Sequence, residues 1–257
     1  MDLTAAAHSY LSLTLLVFLA GFVDAIAGGG GLITLPAYLA HGLSPVLLLG
    51  TNKLSSSMGT LVAAAKFLKE TRFKTDFLFI VIFLAALGAV LGARTITLIP
   101  PEMIRYLLIV VLPPVAILLV SQRAFGLADT SAAFSSDSLL ARAGLISFSI
   151  SFYDGLLGPG TGTFLALAFA RLCGFDLLRS TALAKVLNLT SNLASLAAFL
   201  YFGRVNVALG LAMGLAGMAG NYAGSHVALN KGAWVIRPML LVICAALLAK
   251  LVWDMVR

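Results

Sequence analysis

The chain has 257 residues, of which 61% are hydrophobic and only 11% charged, with a net charge of +7 and a mean hydropathy of +1.05. So few polar side chains cannot cover a water-soluble globule of this size, which excludes water as its main solvent. Lys and Arg gather near the ends of apolar runs, as at Lys66, Lys69, Arg72 and Lys74, a pattern of snorkelling and orientation rather than of a nucleic-acid surface.

In chain order, apolar runs of the length a bilayer requires, about 20 residues, fall at 9–27, 46–68, 77–98, 103–121, 143–157, 182–202, 207–229 and 234–253. These eight candidate transmembrane helices predict an all-α integral membrane protein. The first run has no Lys or Arg before it and reads as a retained span, not a cleaved signal peptide. It carries Asp24 and leads into Gly28, Gly29, Gly30 and Gly31, then Thr34 and Pro36. Four consecutive glycines, each costing a helix about 1 kcal/mol relative to Ala, predict an unwound break.

The next run opens with Gly50-Thr51-Asn52-Lys53. A lysine entering an apolar helix needs an anionic partner or an anionic ligand, unless it snorkels to the headgroups. The stretch from Ser121 to Ser138, with Gln122, Arg123, Asp129 and Asp137, is polar. The run at 143 leads to Asp154, and a second break follows, from Gly155 through Gly158, Pro159, Gly160, Thr161 and Gly162 to Thr163. Further on, Lys185, Asn188 and Asn192 share one helical face. Cys173 and Cys244 lack metal or redox spacing and read as small buried hydrophobes. His8, His41 and His226 are too scattered for a metal cluster, and nothing calls for a cofactor.

Slid on itself, the chain aligns Gly42 with Gly174, Lys53 with Lys185, Arg72 with Arg204, Gly88 with Gly220, Gly92 with Gly224 and Arg105 with Arg237, each 132 residues apart. A shared excess of Leu and Ala would not align Gly, Lys and Arg, so this register predicts a duplication. Residues 1–121 form the first membrane repeat, 122–138 a polar linker and 139–257 the second. Upstream, Phe22, Asp24 and Gly28 pair with Phe152, Asp154 and Gly158. Interrupted helices at matching positions in two repeats are the pattern of secondary transporters, whose substrate site lies between the repeats. Four spans per copy would make the copies parallel, whereas a short segment that crossed fully would make them inverted.

Irregular backbone at membrane depth is tolerated only where protein buries it or it lines a water-filled cavity. A helix starting there aims free N–H groups and its positive dipole end inward, a setting suited to an anion. The candidate substrate-binding residues are therefore Gly30, Gly31, Thr34, Asn52, Lys53, Gly160, Gly162, Thr163, Lys185 and Asn188. Asp24 and Asp154 are candidates for proton coupling, because a carboxylate beside a bound anion is unfavourable unless protonated or paired. Plainer readings stand beside these: tight turns with packing glycines, carboxylates that cap backbone N–H groups, and Asn188, Thr190 and Asn192 as interhelical glue. The small-xxx-small pairs Gly88/Gly92 and Gly220/Gly224 read as close helix packing. Arg105 and Arg237 read as orientation and lipid contacts.

In Gly21-Phe22-Val23-Asp24 through Gly31, in Leu49-Gly50-Thr51-Asn52-Lys53 and in Phe152-Tyr153-Asp154-Gly155 through Thr163, the sequence resembles the sulfite exporter TauE/SafE family of bacterial membrane proteins. The similarity runs nearly the whole chain. It implies a multi-pass bacterial inner-membrane permease for a small sulfur-containing anion such as sulfite or a sulfonate, without fixing the compound, the direction or the coupling ion. Replacement of Thr51-Asn52 by Leu183-Ala184 before Lys185 implies that the halves do not contribute identical contacts. The expected partners are the anion and membrane lipid, not nucleic acid; a homo-oligomer is compatible with all of this. One alternative is a passive anion channel. Another, an intramembrane aspartyl enzyme, is prompted by the two carboxylates, but the chain lacks a Gly-x-Gly-Asp companion motif and His-Glu-x-x-His, and no enzymatic activity is expected.

Overall fold

The computed structural model describes residues 3–100, 103 and 128–231. The expected spans at 103–121, save Met103, and at 234–253 lie outside the described residues, as do Arg105, Arg237, Cys244, Gln122 and Arg123. The described elements are helices throughout: α1 (Leu3–Ala27), α2 (Gly31–Ala40), α3 (Pro45–Glu70), α4 (Thr75–Thr97), a 3-10 turn at Ser131–Ala133, α5 (Ser136–Leu156), α6 (Thr161–Leu172), α7 (Leu177–Tyr201) and α8 (Val207–Lys231).

Four described segments are long and apolar enough to cross a membrane: Tyr10–Ala27, Thr75–Thr97, Leu177–Tyr201 and Val207–Asn230. The apolar side chains of three of these helices turn outward, with Leu15 on α1 56%, Phe79 on α4 71% and Leu215 on α8 65% exposed. The interior, in contrast, holds Lys53 and Lys185. That inside-out distribution fits a lipid surround and a polar centre. α2 and α6 have 10 and 12 residues and extend only about 15 to 18 Å at about 1.5 Å per residue, too short for a hydrocarbon core of about 30 Å.

Hydrophobic layers at the two ends of the bundle fix the helix directions. One layer gathers Leu13 from the start of α1, Leu48 from the start of α3 and Met213 from the start of α8, with Ile96, Leu157 and Phe199 from the ends of α4, α5 and α7. The opposite end gathers Ile26, Phe67 and Ala228 from the ends of α1, α3 and α8 with Leu177 from the start of α7, and Val81 and Ala143 from the starts of α4 and α5. Helices α1 and α5 therefore run in opposite directions, as do α3 and α7, and α4 and α8. Tyr10 meets His41 ring to ring at 4.6 Å, so α2 returns to the end from which α1 set out.

The glycine pairs read as packing surfaces do pack. A methyl group on Gly88 or Gly92 of α4 would collide with the Phe148 or Phe152 carbonyl of α5, and one on Gly220 or Gly224 of α8 with the Phe18 or Phe22 carbonyl of α1. Backbones this close leave room only for hydrogen at those positions. Helix α5 starts earlier than its apolar run, inside the stretch read as linker, because the Ser135 hydroxyl caps it by accepting from the Ser138 N–H at 3.3 Å. Thr130 donates its N–H to the Gly174 carbonyl at 2.7 Å, and Asp129 pairs with Arg179, which ties the end of the linker to the start of α7.

Candidate functional site

The glycine runs unwind the chain, but one turn later than the two aspartates. α1 continues past Asp24 to Ala27, and Gly28 then takes a φ of +86° while its N–H bonds the Asp24 carbonyl at 2.7 Å. α5 likewise continues past Asp154 to Leu156, and Gly158 and Gly160 take φ values of +91° and +80°. This left-handed region is open to glycine at little cost, which is why the breaks sit where they do. The two breaks lie against each other. A methyl group on Gly28 would collide with the backbone of Gly162 and Thr163, and the Thr163 hydroxyl donates to the Ala27 carbonyl at 2.7 Å.

Beside this crossing stand two ion pairs, each linking one half of the chain to the other. Lys53 Nζ on α3 lies 2.7 Å from Asp154 Oδ2 on α5, with both side chains 2% exposed. It also donates to Asn192 Oδ1 at 3.0 Å, and the Ser191 hydroxyl donates to the same carboxylate oxygen at 2.5 Å. Lys185 Nζ on α7 lies 3.3 Å from Asp24 Oδ2 on α1, with the lysine 1% and the aspartate 13% exposed. Lys185 also donates to the Asp24 carbonyl, and the Gly30 N–H donates to Asp24 Oδ1 at 3.2 Å. Neither lysine snorkels; each is buried against a carboxylate. Asp24 does cap a backbone N–H, so the capping reading and the charge-pair reading hold together.

Between the pairs remains a space of about 20 Å³ bordered by Asp24, Gly28, Gly31, Asn52, Lys53, Ser56, Thr60, Asp154, Gly158, Thr161, Gly162, Asn188 and Asn192. It has room for about one water. Of the candidate residues, Gly31, Asn52, Lys53, Gly162, Asn188, Asp24 and Asp154 meet around it. Gly30 and Thr34 border a neighbouring space that shares Asp24, and the Thr34 hydroxyl donates to Asn52 Oδ1 at 2.5 Å. Gly160, Thr163 and Lys185 border neither: Gly160 is the residue before α6, Thr163 joins the breaks, and Lys185 touches the site through Asp24. Sequence reasoning missed Ser56 and Thr60, although they stand 132 residues before Asn188 and Asn192. It also missed Ser191 and Asn221.

The sulfite exporter TauE/SafE family model matches residues 13–251. The chain belongs to this family. It is 37% identical to a protein of Sinorhizobium sp named probable membrane transporter protein ORF9, over 97% of this chain and 94% of that one. It is 36% identical to probable membrane transporter protein YfcA of Escherichia coli strain K12, over 92% of this chain and 87% of that one. A probable membrane transporter protein of Haemophilus influenzae is 37% identical over 92% of each chain. No solved structure matches. The site of this TauE/SafE protein thus holds two ammonium groups and two carboxylates in balance. Each lysine is already matched by a carboxylate, so its charge becomes available to another group only when that carboxylate is displaced or neutralised.

Proposed function

We propose that the chain is a secondary transporter of the bacterial inner membrane that carries a small anion, sulfite or an organosulfonate, with a coupled proton. The observation that carries this reading is the crossed pairing of Lys53 with Asp154 and of Lys185 with Asp24 beside two face-to-face helix breaks. Residues through 121 and from 139 are two copies of one unit, inverted with respect to each other, as the opposed directions of corresponding helices suggest. Each copy supplies one lysine, one carboxylate and one short helix whose first turn, at Gly31 or Gly162, borders the central space.

In the loaded state a protonated carboxyl releases its lysine, and the freed ammonium and the first-turn N–H groups hold the anion. Around the space of about 20 Å³ the aspartates occupy the lysines' anion-binding positions, so substrate and carboxylate share one set of partners. The four-charge balance makes the coupling a matter of sign, since an anion without a proton would leave the buried site negative.

The test is uptake of labelled sulfite and of a simple sulfonate into proteoliposomes, with and without a pH gradient, for wild type, Lys53→Ala and Lys185→Ala. Saturable, gradient-sensitive flux lost in both variants is the expected result. Flux that survives both substitutions would remove the anion from this site, and flux that never saturates would point to a passive channel.

A further inference from the structure

The two ion pairs are not equivalent. Both carboxylates border the central space, but Asp154 is 2% exposed and held at 2.7 Å by Lys53, whereas Asp24 is 13% exposed and held at 3.3 Å by Lys185. A second space of about 20 Å³ opens beside Asp24, walled by Thr34, Ser55, Ser56, Thr60 and Asn221. Asn221, 3% exposed, spends its amide N–H on the Gly217 carbonyl at 3.0 Å, and its Oδ1 has no hydrogen-bond partner. A buried acceptor of this kind calls for a water. By the 132-residue and 130-residue registers the mates of Asn221, Ser55 and Thr34 are Ala89, Leu187 and Phe164, while those of Ser56 and Thr60 are the polar Asn188 and Asn192, so three of these five positions turn apolar on the Asp154 side. Ser151, the mate of Gly21, and Ser191, which bonds Asp154, put hydroxyls there, and the Ser151 hydroxyl, like Asn221 Oδ1, has no hydrogen-bond partner.

We infer that the Asn221 chamber holds water that carries protons to Asp24, which makes Asp24 the exchanging carboxyl and Asp154 a fixed counter-charge for Lys53. The titratable groups that face Asp24 are Lys185 from α7 and, across the central space, Lys53 from α3 and Asp154 from α5. Among the described residues, α2 and α8 bring no titratable side chain to it; they present Gly31, Thr34, Gly217 and Asn221, with Gly30 just before α2. Water in the chamber accepts a proton from the solvent side as it passes one on to an Asp24 Oδ atom, so no hydroxide is left behind, and the Lys185 ammonium, with its partner neutral, is released toward the central space. The inference deepens the proton-coupled reading, yet its test needs no transport.

The test is an infrared pH titration of the purified full-length protein in lipid, followed by hydrogen–deuterium exchange of the protonated-carboxyl band. A band lost in Asp24→Asn but kept in Asp154→Asn, and exchanging more slowly in Asn221→Leu, is the expected result. Because Asp154→Asn strands Lys53, the pair-deleted Lys53→Met/Asp154→Asn variant serves as its folding-safe counterpart. A band that follows Asp154, a band equally shared, no band at all, or exchange unaffected by Asn221→Leu would each overturn the assignment. Failure of sulfite uptake with this titration intact would overturn only the substrate.

Discussion

Removing one member of the Lys53–Asp154 pair should cost far more than removing both. Unit charges 2.7 Å apart attract by about 6 kcal/mol at an effective dielectric of about 20, and those 3.3 Å apart by about 5. Asp154→Asn deletes that attraction and leaves an ammonium buried among Asn192, Ser191 and glycine backbone, for a loss of roughly 3 to 5 kcal/mol. Lys53→Met strands the carboxylate and should cost a similar amount. In the double variant no buried charge remains, and more than half of either single loss should return. Denaturant or thermal unfolding of the purified protein in detergent supplies the four corners of a double-mutant cycle, in which a coupling of about 2 kcal/mol or more is expected. Losses that simply add would refute the pairing as an energetic unit. The Lys185–Asp24 cycle should give a smaller coupling, by about 1 kcal/mol, since that pair is longer and more exposed.

Sulfite uptake should rise as the outside pH falls, and Asp24→Asn should flatten that dependence, which a pH series of initial rates would reveal. Gly92→Ala and Gly220→Ala drive a methyl group into the Phe152 and Phe18 carbonyls and should each lower unfolding stability by roughly 1 to 3 kcal/mol, with Gly42→Ala, which meets nothing in space, testing the backbone φ term alone. Thr163→Val removes the hydroxyl that bridges to the Ala27 carbonyl, so unfolding should come easier by roughly 1 to 3 kcal/mol.

The long helices were legible because a run of about 20 apolar residues carries its own signal, and the breaks because consecutive glycines have no comfortable helical state. Pairing was not legible. Asp24 is nearer in sequence to Lys53 than Asp154 is, and nothing in composition says that each lysine selects the carboxylate of the other half. That choice follows from how the breaks cross. The ends of the runs at 27 and 157 match the ends of α1 and α5 to within one residue, whereas α5 begins at Ser136, well before its apolar run, because a polar first turn carries no hydropathy signal. Ser56 and Thr60 could have been found by carrying Asn188 and Asn192 back 132 residues. Asn221 could not, because its mate is Ala89, and a residue that breaks the register leaves no trace in it.

Because α4 lies against α5 and α8 against α1 through glycine-to-carbonyl seams, each half of the chain is clasped by the final described helix of the other. Sequence order and mechanical order therefore part company. Any rigid-body movement would have to carry α1 with α8 and α4 with α5, because methyl-free seams of this kind leave no slack for sliding. Hinges for such a movement belong in the connections at 71–74 and 202–206, which join α4 and α8 to the helices before them. Cross-links placed there, and not along the boundary between the two copies, are the ones that should arrest the cycle.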